Sequence, residues 1–138
     1  MATTTRSSWY ELRDAIAGRD ITTAASLIKM DPDLIQKTNG MGETVLHFLA
    51  VENDAMGVAW LHEQGADMNC ENDFGIPAWF EVAQLEYREL LMWFVQAGVN
   101  LNATDRDEQG ILTFLEAMGE HDMVEFAVSN VAHKTWRV

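Results

Sequence analysis

The chain has 138 residues, 48% of them hydrophobic, which suits one domain with a sizeable core and leaves little for a second. Its 22 carboxylates against 9 lysines and arginines give a formal charge of −13, a surface that repels phosphate backbones and anionic lipid heads and so argues against nucleic acid and membrane surfaces as partners. The longest apolar runs are broken by charges well short of the roughly 20 residues a bilayer span requires, and the single cysteine, Cys70, cannot close an internal disulfide, which fits a reducing, cytoplasmic setting.

Residues 1–7 lack the apolar core of a secretory signal and are expected to be a short disordered lead-in. Trp9, Leu12, Ala15 and Ile16 fall at helical spacing, which predicts a first helix from Trp9 to Ile16 with Ser7 or Ser8 as its N-cap. After Gly18-Arg19-Asp20, a second helix over about 21–30 offers Ile21, Ala24, Ala25, Leu27 and Ile28 to the core, until Asp31-Pro32-Asp33 stops it. Leu34-Ile35 can then tuck an extended return under the two helices. Positions 1–38 carry five basic and five acidic groups, so the whole negative charge belongs to positions 39–138.

Asn39-Gly40-Met41-Gly42 is a turn whose glycines permit positive φ. Thr44 is placed to cap a helix with Leu46, Leu49 and Ala50 facing inward, and a second helix runs from about Met56 to Glu63, stopped by Gly65. One and the same interval separates Gly42 from Gly75, Gly65 from Gly98 and Asn69 from Asn102, a triple coincidence that marks an internal repeat. The repeat predicts helices over about 79–84 and 88–96, with Leu90, Leu91, Trp93 and Phe94 supplying core. Gly110 falls two positions later than that interval from Gly75 would place it, so the third turn is expected to be longer, Asp105 to Gln109 forming an enlarged charged finger. Leu112, Phe114, Leu115 and Ala117 predict the next helix, and Met123, Val124, Phe126, Ala127 and Val131 the last, with Asp122 as a capping residue. The tail from His133 to Val138 is locally basic and can complement that helix's C-terminal dipole.

No chemistry-bearing motif emerges. His47, His62, His121 and His133 stand in different units without metal-ligand spacing, and His62-Glu63 lacks the second histidine of a zinc-protease pair. There is no nucleophile elbow and no phosphate-cradling glycine loop. Catalysis, a cofactor and a metal are therefore not expected.

The stretch Gly42-Glu43-Thr44-Val45-Leu46-His47-Phe48-Leu49-Ala50 resembles the Thr-Pro-Leu-His-x-Ala signature of the ankyrin repeat, in which a tight turn launches a helical hairpin of about 33 residues. Val45 replaces the usual proline, and in the next copy Pro77, Ala78, Trp79 and Phe80 take the four signature positions. The resemblance implies an all-α fold, a short solenoid of about four stacked helix-turn-helix units: an N-terminal cap over 8–38, repeats over 39–71 and 72–104, and a C-terminal cap over 105–138. It implies that His47 hydrogen-bonds locally to hold its turn. It further implies a non-enzymatic module that binds another protein, with turns aligned as fingers and first helices lining a concave face.

On such a repeat, Glu43, Glu71, Asp73, Asp105, Asp107 and Glu108 fall on or near the fingers. Glu52, Glu81, Glu86, Glu116 and Glu120 fall on or beside the first helices, and Met41, Phe74, Ile76 and Tyr87 at positions the repeat exposes. An acidic rim around aromatic or methionine anchors suits an interface with a basic protein, while the same charges would equally serve as a solvating surface. Phe74, between Asp73 and Gly75 with little core to enter, is the first candidate anchor. Two functions fit: an inhibitor or immunity protein masking a basic toxin or nuclease, and an assembly adaptor or host-directed effector binding through apolar finger residues. A monomer is expected in the free state.

Overall fold

The computed structural model describes residues 4–132. Among them it has eight α-helices and no strand, the all-α class expected: α1 Thr4–Ala17, α2 Ile21–Met30, α3 Val45–Val51, α4 Ala55–Glu63, α5 Ala78–Gln84, α6 Arg88–Ala97, α7 Ile111–Ala117 and α8 His121–Ala127. None of these helices is long and apolar enough to cross a membrane. They pair as antiparallel hairpins and belong to two compact units, one ending at Asp67 and one starting at Met68.

In the first unit α1 pairs with α2 and α3 with α4, and α1 lies beside α3. α1 begins before the expected Trp9, because no glycine or proline interrupts residues 4–8 and extending a nucleated helix costs little. Residues 4–7 of the expected lead-in are thus helical, and Ser7 and Ser8 lie inside the helix instead of capping it; residues 1–3 lie outside the described residues. Leu12 and Ile16 of α1, Leu46 and Leu49 of α3, and Val58 and Leu61 of α4 are all closed to solvent and form the core of this unit. α2 contributes less than its pattern suggests: Ala24 alone is fully buried, Ile21, Leu27 and Ile28 are half-buried or more exposed, and Ala25 is exposed. It is the outer helix of an end hairpin, touching mainly α1 and the turn after it. That turn, Pro32–Gln36, is a 3₁₀ helix and not an extended return, yet it delivers Leu34 and Ile35 to the core as expected.

The second unit repeats the arrangement, with α5 against α6, α7 against α8 and α5 beside α7. Trp79, Phe80, Phe94 and Phe114 fill its centre, the rings of Phe80 and Phe114 lying 5.1 Å apart. Trp93, Leu112, Val124 and Phe126 are half-buried and Ala117 is exposed, so the stripes of these short helices are narrower than their sequence implies. α8 runs on into a π-turn over Val128–Ala132 that buries Val131. The basic tail from His133 to Val138 lies outside the described residues.

Each hairpin turns through one residue of positive φ: Arg19, Asn53, Glu86 and Gly119. The residue after it precedes the second helix, and Asp20 and Asp54 act there as true caps, accepting from the backbone N–H of Thr23 and Gly57. In the last hairpin this place is held by Glu120, so Asp122 sits in the first turn of α8 instead of capping it. Asp54 also takes both arms of the Arg19 guanidinium, at 3.1 and 2.8 Å.

Candidate protein-binding surface

Three turns launch α3, α5 and α7, and they share one hydrogen-bond frame. In the first, the Asn39 side-chain oxygen accepts from the N–H groups of Met41 (2.9 Å) and Glu43 (3.0 Å), while Gly42 N–H reaches the Asn39 carbonyl and Asn39 N–H the Glu43 carbonyl. Asn72 does the same with Phe74 (2.9 Å), Ile76 (3.1 Å) and Gly75. Asp105 does it with Asp107 and Gln109, both at 2.9 Å, and with Glu108. Asn39, Asn72 and Asp105 are evenly spaced along the chain, and so, at the same interval, are Thr44, Pro77 and Gly110, which precede the three helices. Of these Thr44 is a side-chain cap as expected, its hydroxyl accepting from the N–H of the buried His47 at 3.2 Å.

The third turn is therefore not enlarged. Gly110 stands where Pro77 does, at the start of the helix, and the left-handed place of Gly42 and Gly75 is taken by Glu108 at φ 62°. Counting from one glycine to the next misplaces the register, because a glutamate occupies the glycine position. Asp105 correspondingly belongs to the frame: its carboxylate is engaged by two backbone N–H groups of its own turn. A short polar acceptor two and four positions ahead of backbone donors does this for either amide or acid.

What the frame displays is a two-residue tip: Gly40-Met41, Asp73-Phe74 and Arg106-Asp107. Met41 is 51% and Phe74 57% exposed, at equivalent tip positions of successive repeats. Asp73, Asp107 and Glu108 are exposed with them, as is Glu71 at the foot of the second turn, where it bridges to Pro77; Ile76 is half-buried. Glu43 is half-buried, its carboxylate accepting from Asn39 (3.1 Å) and its carbonyl from the indole N–H of Trp9 (3.1 Å). Within the second unit the Arg106 guanidinium donates to the carbonyl of Asp73, and its stem lies so close to Gly75 that a Cβ there would come 2.8 Å from Arg106 Cβ.

The remaining candidates spread away from the turn tips. Glu81 and Glu116 lie on α5 and α7, half-buried and exposed respectively, and Glu52 ends α3. Glu86, Tyr87 and Glu120 sit at the opposite ends of these helices, where the hairpins reverse. There the Glu120 carboxyl is raised above its ordinary range by burial first, then by the hydrogen bond and negative charge of Glu86, with Asp122 adding and His121 opposing. In the first unit Glu52 lines an open groove of about 650 Å³ with Phe48, Met56, Arg13 and Arg19. Arg13 stacks there against Tyr10 and Phe48 at 5.0 and 5.3 Å.

Sequence reasoning did not single out two residues that shape the second turn, Asn72 and Arg106. Asn72 has a signal in the even spacing of Asn39, Asn72 and Asp105, legible only when the polar residue and not the glycine is used as the marker, whereas Arg106 has none.

The family model for the ankyrin repeat matches residues 41–73, which run from the tip of the first turn through the hairpin of α3 and α4 to the tip of the second. No curated protein matches the chain. With the all-helical hairpins, the match over this one unit supports an ankyrin-repeat protein, a class of module that works by protein–protein interaction.

Proposed function

We propose that this ankyrin-repeat protein captures a basic protein through its turn tips, in the cytoplasm and without chemistry of its own. The observation that carries this reading is the pairing of exposed apolar residues with carboxylates on a rigid frame, Phe74 beside Asp73 above all. Aromatic anchors within a polar rim concentrate binding energy, and carboxylates around them steer a cationic partner and reject an anionic one. An inhibitor or immunity protein that masks a positively charged toxin or nuclease needs this charge sign, and the chain's −13 supports that role. No nucleic acid and no membrane surface fits the same charge.

The test is a salt titration of the complex with the natural partner, isolated by affinity capture. Electrostatic capture predicts affinity falling steeply as salt rises; affinity flat across the titration would sink it. The exposure of Met41 and Phe74 at equivalent tips also supports the second reading, an assembly adaptor or host-directed effector that binds through apolar contacts. Under that reading, charge reversal at Asp73 and Asp107 leaves binding intact while Phe74→Ala abolishes it.

A further inference from the structure

We infer that Arg106 is a positioning residue that holds Phe74 in its displayed form before any partner arrives, and that the partner site it serves is an apolar socket bordered by lysine or arginine. The inference rests on the reading of Phe74 as an interface anchor. Residues 71–77 and 105–110 contain five carboxylates and one cation, Arg106. A cation pointing outward there would repel the basic partner that the carboxylates attract. Its guanidinium is instead turned back onto the carbonyl of Asp73, the residue before Phe74, and its stem closes over Gly75, the residue after.

Phe74 is thus fixed on both sides. Its own N–H and that of Ile76 are held by Asn72, and Gly75 N–H by the Asn72 carbonyl, so the turn is tied to itself from within and to the next turn by Arg106. Gly75, at φ 74°, is the residue that makes this approach feasible: any side chain would be strained at that φ and would collide with Arg106. An exposed aromatic held this way binds without a large ordering cost, which is how preorganisation raises affinity. The charge complement around it, Asp73, Asp107 and Glu71, fixes the sign of the socket's border.

Two measurements test the inference. In the isotope-labelled full chain, backbone order parameters at Phe74 and Gly75 should match the helices, about 0.85, and fall below about 0.6 in Arg106→Ala, with the helices unchanged. Arg106→Lys, which keeps the stem and a donor, should restore most of the order. For binding, the probe is a cyclic peptide selected on the wild-type protein from a random displayed library. It should carry lysine or arginine beside an apolar residue and lose affinity about tenfold or more with Phe74→Ala. Removing a positive charge should by itself strengthen binding of a basic peptide, whereas loss of positioning should weaken it; we expect Arg106→Ala to weaken it several-fold. Unchanged order at Phe74, or tighter binding by Arg106→Ala, overturns the positioning role. Selected peptides that are acidic, or indifferent to Phe74→Ala, overturn the anchor reading itself.

Discussion

Asp105 fills, one repeat on, the place that Asn72 fills in the preceding turn: each offers one side-chain oxygen to two backbone N–H groups, two and four positions ahead. An amide and an acid do the same work, since only the acceptor is used. Asn72→Ala removes that acceptor from a buried position and should destabilise the protein by about 1–3 kcal/mol, whereas Asp105→Asn should stay within about 0.5 kcal/mol of wild type. Urea unfolding of the two variants checks the pair, and equal losses would refute the shared frame.

Glu108 adopts at φ 62° the conformation that glycine takes in the two earlier turns. A side chain there strains the backbone by about 1–2 kcal/mol, partly offset by glycine's greater freedom in the unfolded chain. Glu108→Gly should raise stability by up to about 1 kcal/mol on this balance. A lower urea midpoint in the variant would contradict it.

Gly57 lies inside α4, where alanine ordinarily helps a helix by about 1 kcal/mol. Here a Cβ would meet Asp54 Oδ2 and Ile16 Cγ2 at 2.8 Å and Leu49 Cδ1 at 3.0 Å. Two of these atoms belong to packed core side chains and the third to a cap already held by Arg19, so none yields cheaply. Gly57→Ala should therefore destabilise by about 1–3 kcal/mol, measured as a drop in denaturation midpoint with an unchanged helical spectrum.

Folded Glu120 binds its proton more tightly than the ordinary carboxyl value of 4.5. Between that value and its raised folded value the native state holds more protons than the unfolded state, so stability declines as pH rises through this window. The contribution is fully present below the window and gone above it. Glu120→Gln should flatten the decline in urea midpoint over the window, and an unaltered slope would show that folding does not tighten the proton on Glu120.

Much of this is legible in the sequence, for physical reasons that also explain the misses. The hairpins of α3 to α6 follow from helical stripes such as Leu46, Leu49, Leu90 and Phe94, punctuated by Gly65 and Gly98 at helix ends. Phe74 stands out because a large ring on a turn has no core to enter, and it is exposed. A glycine count misreads the third turn because glycine is a marker of positive φ and not its cause; Glu108 reaches the same conformation when the frame around it is fixed by Asp105. The reach of α1 back to Thr4 is invisible because a weak polar stretch carries no periodic signal, although nothing in it stops a helix. Arg106 cannot be singled out from sequence either, since its role depends on a contact with Gly75 of the preceding turn, a full repeat away along the chain.

The tip residues at positions 41, 74 and 107 hang from a frame built by residues 39, 72 and 105 and launched into helices by 44, 77 and 110. Because the frame uses the tips' backbone and leaves their side chains outside it, heredity can rewrite recognition without renegotiating stability. A library randomised at these three positions alone should yield mostly folded members with divergent targets. The same separation makes drift at the tips cheap, so close kin of this chain could part company in whom they bind while remaining nearly identical in how they fold.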